Sequence, residues 1–147
     1  MDPQNLLADP AVHAWALASV VVALKTLAAG IHTSRTRIQK GLFISPEDYA
    51  PLRLEAKSGL DDDIERARRI HQNDLEAGLP FCMIGLVYAL TGPSSLGICL
   101  CFAGFPLARI AHSVTYAYGL MPHRTVAWSI GFSITIWMGV TSLIALL

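Results

Sequence analysis

Four short stretches concentrate the side chains able to do chemistry. In "ERARRIHQNDLEAGLPF", residues 65 to 81, Arg69, Asn73 and Glu76 recur at i, i+4 and i+7, which is one face of a helix, and Arg66 extends that face by a turn. In "ARIAHSVTYAYG", Arg109, His112 and Tyr116 recur at i, i+3 and i+7, again one face. Lys25 and His32 share a face of an earlier run, followed by Arg35 and Arg37; Arg124 and Thr125 open the last one. The set is rich in cations, with one acid, one amide and one phenol. It suits a small ligand carrying several carboxylates, an amine and an acidic proton. Arginines would clamp carboxylates. Glu76 would take the amine, and an arginine or hydroxyl would stabilise a developing anion.

A tripeptide thiol such as glutathione meets that description, and so does another polyanion of similar make-up. Plainer roles stand beside it. Arg109 and Glu76 make an ion pair that fixes helix packing. Arg66 and Arg68 meet solvent or lipid headgroups. His71 lies off the polar face and reads as a capping or interface residue. Lys25 snorkels or pairs with an acid of another chain. Tyr88, Trp15 and Trp137 are packing or interface aromatics. Cys82, Cys99 and Cys101 lie in apolar runs without CxxC or Cys/His metal spacing, so burial as small apolar residues is expected and no metal site.

The elements that must position these residues are membrane spans. The chain has 147 residues, 53% hydrophobic and only 15% charged, with a mean hydropathy of +0.47; soluble domains carry roughly a quarter charged residues. Its 11 basic and 11 acidic residues cancel, which argues against a nucleic-acid surface. Hydropathy predicts one domain, 1 to 147, with spans over about 12–36, 62–91, 95–119 and 124–146 and a connector over about 37–61. This is an all-α integral membrane four-helix bundle. The apolar part of the second span, 77 to 91, is too short to cross alone, so its helix is expected to start near Asp61 to Asp63, acids that suit a helix N-terminus. Arg35, Arg37, Lys40, Arg53, Lys57, Arg66, Arg68 and Arg69 crowd between spans one and two, so the positive-inside rule puts the connector in the cytosol and both termini opposite. The N-terminus lacks the basic region of a secretory signal.

The motifs carry a resemblance. "ERARRIHQNDLEAGLPF" with "GLVYALTGP" resembles the second-helix signature of the membrane-associated proteins in eicosanoid and glutathione metabolism, and "ARIAHSVTYAYGLMPHR" resembles their third-helix signature. "LFISPEDY" is similar to the connector of the microsomal prostaglandin E synthase branch. The resemblance implies a homotrimer with glutathione sites between neighbouring subunits near the cytosolic face of the endoplasmic reticulum or of a bacterial inner membrane. It implies glutathione contacts from Arg37, Asn73, Glu76, His112 and Tyr116, with Arg69 at a basic position of the same site. It implies that Arg124 faces the sulfur, that Thr125 stands in for a serine, and that Asp48 is an aspartate linked to that arginine. Gln72 replaces a glutathione-contacting arginine, and Trp128 replaces a tyrosine. The implied activity is a glutathione transferase or peroxidase acting on hydrophobic second substrates from the bilayer. The alternatives are a prostaglandin E synthase-type isomerase and a non-enzymatic lipid-binding scaffold. A transporter is less expected, because neither helices broken inside the membrane nor two-half symmetry is evident.

Overall fold

The computed structural model describes residues 6–43, 45–52 and 61–147. Helix α1, Pro10–Lys40, starts where the Asp9 carboxylate accepts from the amides of Ala11 and Val12 at 2.8 and 3.1 Å. Pro10 takes the first helical position, where its missing N–H is not needed. The helix stops at Gly41, whose φ of 62° is left-handed and costs glycine nothing. Helix α2, Asp62–Leu90, is capped by Asp61, which accepts from the amides of Asp63 and Ile64 at 3.0 and 3.1 Å. Its first-turn acids face the positive end of the helix dipole. The start expected from the acid run is borne out.

The third span, expected over about 95–119, is divided. It is built of α3, Ser95–Phe102, and α4, Gly104–Ala117, which meet at Ala103. Pro106 is the cause: it has no N–H for the Phe102 carbonyl, and its ring crowds that carbonyl. Helix α5, His123–Leu146, completes the bundle. The connector contributes two single-turn 3₁₀ helices, Pro46–Asp48 and Ala50–Leu52; its Arg53 and Lys57 lie outside the described residues. Pro10–Lys40, the continuous run Ser95–Ala117 and His123–Leu146 are each long and apolar enough to cross a bilayer. Helix α2 has 29 residues but a charged first half, and at about 1.5 Å per residue it reaches past the bilayer core. Every regular element among the described residues is helical, and the chain is an integral multi-pass membrane protein.

Lipid gives helices no hydrophobic push toward one another, so close contact needs small residues. The buried stripe of α1 runs through Ala11, Ala18, Val22 and Thr26, and that of α2 through Ala67, Ile70, Gly78 and Gly85. A Cβ on Gly78 would come to 3.0 Å of Val22, and one on Gly85 to 3.0 Å of Trp15. The Trp15 indole donates to the Cys82 carbonyl at 2.9 Å. His71 packs over Gly30, the interface role expected of it. Phe81 stacks on Phe105 with ring centroids 3.9 Å apart, and Phe102 meets Phe81 edge-on. The cysteines are free; Cys101 is buried and Cys82 half-buried, whereas Cys99 is exposed, against the expectation of burial.

Three helices are tied by charge. Asp74 Oδ1 accepts from Lys25 Nζ of α1 and from Arg109 Nη2 of α4, the latter at 2.9 Å. Lys25 also donates to Ser113 Oγ. This corrects two expectations: Arg109 pairs with Asp74 rather than with Glu76, and Lys25 finds its acid within its own chain. The reason is rotational. Asp74 stands four residues from both Ile70 and Gly78, on the buried face of α2, while Glu76 is exposed. Arg68 is exposed and pairs with Glu65 at 2.8 Å, whereas Arg66 reaches the Ala117 carbonyl at 3.4 Å. Lys40 joins the end of α1 to the start of α2 through Asp61 at 2.7 Å and Asp63 at 2.5 Å.

Two outcomes follow. Asp74→Ala leaves two cations without their shared carboxylate and should cost roughly 3–5 kcal/mol, read from thermal unfolding in detergent. The hydrogen bond from Lys40 holds the Asp61 carboxyl below its usual value. A depressed carboxyl stabilises the fold above its unfolded value, about 3.9, and that contribution is lost as pH falls through the lower, folded value. Amide-exchange protection of the first turn of α2 should therefore fall on acidification, and Lys40→Met should flatten that dependence near the carboxylate range.

Candidate functional site

Arg124 is the second residue of α5 and Tyr116 lies in the last turn of α4, so the short turn between the two helices brings them together. The Arg124 guanidinium sits over the Tyr116 ring, 4.4 Å from its centroid. Tyr116 in turn meets His112 edge-on at 5.6 Å, one turn back on α4. His112 is buried, its Nδ1 has no hydrogen-bond partner among the described residues, and it feels the charges of Arg109, Asp74, Lys25 and Arg124. Arg124 makes no ion pair among the described residues. Its guanidinium rests on the face of a phenol, an attraction that leaves it open to an anion.

The second group lies along α2. Arg109 Nη2 donates to Asn73 Oδ1 at 2.8 Å and to the Asn73 carbonyl at 3.1 Å. Glu76, one turn on, accepts from Gln72 at 3.0 Å, and its other carboxylate oxygen has no hydrogen-bond partner among the described residues. Glu76 and Arg109 open on a cleft of about 210 Å³ between α2, α4 and α5, walled by Pro80, Phe105, Trp128 and Phe132. Trp128 stacks on Phe132 with centroids 5.0 Å apart. The cleft thus combines a carboxylate and a guanidinium with aromatic rings, which suits an amphipathic guest.

The remaining candidates make no direct contact with the Arg124 group among the described residues. Arg37 is half-buried in the last turn of α1, and Arg69 is exposed, donating to the Glu65 carbonyl at 3.3 Å. Thr125 is next to Arg124 in sequence but about 100° away around the helix. Its hydroxyl contacts the Met121 sulfur at 3.7 Å and borders a groove with Ser129, Ile130 and Ser133. Asp48 is exposed on its 3₁₀ turn and forms no ion pair with Arg124. Sequence reasoning passed over Asp74 and Ser113. The signal for Asp74 was available: a carboxylate in the middle of an otherwise apolar helix face needs a cation.

The MAPEG family model matches residues 15–144. The chain is 38% identical over 139 residues to microsomal glutathione S-transferase 1 of Bos taurus, covering 91% of this chain and 90% of that protein. It is 34% identical over 143 residues to the protein of the same name from Homo sapiens, covering 94% and 92%. It is 32% identical over 126 residues to prostaglandin E synthase of Homo sapiens, covering 85% and 83%.

Proposed function

Since the chain belongs to the MAPEG family, we propose that it is a membrane-bound glutathione transferase, activating the glutathione thiol for attack on hydrophobic electrophiles. The same thiolate would reduce lipid hydroperoxides. The observation that carries this reading is the Arg124 guanidinium, 4.4 Å over Tyr116 and without a carboxylate partner among the described residues. The side-chain set fits glutathione: Glu76 has an oxygen without a partner among the described residues for an ammonium, Asn73 an amide, and Arg37 and Arg69 guanidiniums for carboxylates. Glutathione supplies a thiol, and a free cysteine thiol has a pKa of about 8.5. Beside Arg124 the anionic form is favoured, and the Thr125 hydroxyl donates to it. Trp128 and Phe132 form an aromatic wall for an apolar second substrate arriving from the bilayer.

The assembly is proposed to be a homotrimer. Arg37, Arg69 and Thr125 make no hydrogen bond, ion pair or ring contact with the Arg124 group among the described residues, and a neighbouring copy would bring them to it. Asp48 would meet Arg124 across the same boundary. With the connector cytosolic, the site faces the compartment that holds glutathione, in endoplasmic reticulum or a bacterial inner membrane. Gln72, a neutral amide bound to Glu76, supports a general transferase over the isomerase, which stands as the second reading on the 32% identity to prostaglandin E synthase.

Arg124→Ala should lower turnover of a chlorinated aromatic by about 10²–10³, the scale of removing one donor to a developing anion, while glutathione still binds. An undiminished thiolate absorbance of the bound glutathione in that variant would remove Arg124 from the role. Glu76→Ala should instead weaken glutathione binding by about tenfold, measured by calorimetry. A panel of electrophiles, hydroperoxides and an endoperoxide separates transferase, peroxidase and isomerase; no glutathione-dependent turnover on any of them would point to the lipid-binding scaffold.

A further inference from the structure

Asn73 is the candidate ligand whose chemistry is ambiguous, since an amide can present either its carbonyl or its NH₂. Its surroundings resolve the choice. Arg109 Nη2 donates to Asn73 Oδ1 at 2.8 Å, to the Asn73 backbone carbonyl at 3.1 Å and to Asp74 Oδ1 at 2.9 Å. A guanidinium has no acceptor, so the amide atom turned toward it must be the oxygen. Arg109 has little freedom to turn: its side chain is 3% exposed and that of its partner Asp74 is 1% exposed. The same Asp74 oxygen is held by Lys25, which also donates to Ser113.

We propose that Arg109, Asp74 and Lys25 are positioning residues that lock the Asn73 amide with its NH₂ toward the ligand and so set the direction in which the ligand lies. A carboxylate or peptide carbonyl then belongs at Asn73 and the ammonium at Glu76, one turn along the same face of α2. A ligand bound in reverse would bring an ammonium against two N–H donors and is rejected. An amide free to flip would accept both directions. This rests on the glutathione site proposed above; what it adds is a part for the buried cluster of Lys25, Asp74 and Arg109, which acts on glutathione through Asn73.

The test is a double-mutant cycle on glutathione affinity, by calorimetry on the purified full-length protein in detergent. Arg109→Lys keeps a cation for Asp74, but its shorter side chain carries no nitrogen at the Nη2 position that grips the amide. It and Asn73→Ala should each weaken binding by about tenfold, the scale of one hydrogen bond to a charged group. The double variant should bind no worse than Asn73→Ala alone, because Arg109 acts through Asn73. Losses that multiply in the double variant overturn the proposal. Asn73→Asp, which puts an acceptor where the donors stood, should bind more weakly than Asn73→Ala; equal or tighter binding also overturns it. Should Arg109→Lys not fold, K25M/D74L/R109L removes all the charges together, leaves none uncompensated, and enters the same cycle. Wild-type protein that fails to bind glutathione would sink the transferase reading. Wild-type binding with multiplicative losses would sink this inference alone.

Discussion

A single carboxylate oxygen, Asp74 Oδ1, holds the bundle's interior together, accepting from Lys25 on α1 and Arg109 on α4. Three helices therefore meet at one atom, at a depth where water is scarce and an uncompensated charge is expensive. Apolar packing in lipid is permissive: small residues allow α1 and α2 to slide and rotate against each other at modest cost. The shared carboxylate is not permissive. It selects one rotation of α2, and with it the direction in which every other residue of that helix points.

That rotation organises the site. With Asp74 turned inward, Asn73 lies at the edge of the bundle under Arg109, and Glu76 opens on the cleft beside Trp128. Arg109 belongs to both halves of this arrangement, since it grips the interior carboxylate and also lines the cleft. The second group, Arg124 over Tyr116, is set by the short turn between α4 and α5 rather than by the triad. One centre is thus fixed by long-range charge and the other by local chain geometry. Reacting groups on two such centres can be tuned independently, a useful property where one reagent comes from water and the other from lipid.

The parts of this that were legible in the sequence are those governed by local rules. Asp61 begins α2 because a carboxylate caps the amides two and three residues on, and that signal is complete within a few letters. The spacing of Arg109, His112 and Tyr116 carried over directly, with Tyr116 against His112. What was not legible needed knowledge of rotation or of a partner helix. Glu76 and Asp74 are both acids near Arg109, and only the packed bundle shows that the second is the inward one. The Pro106 break was readable in principle, but a long apolar run drew attention to its hydropathy and away from the missing N–H at Phe102.

The clasp between Lys40 and Asp61 has a consequence for how such proteins diversify. It pins the two ends of the connector at the close of α1 and the opening of α2. A loop whose ends are already held pays little for added length, roughly 0.6 kcal/mol for each doubling. The segment between them is therefore the place where residues can be gained or lost over evolutionary time without disturbing the buried charges. The clasp separates the buried problem, three helices meeting at one carboxylate, from the surface offered to whatever lies outside the bilayer.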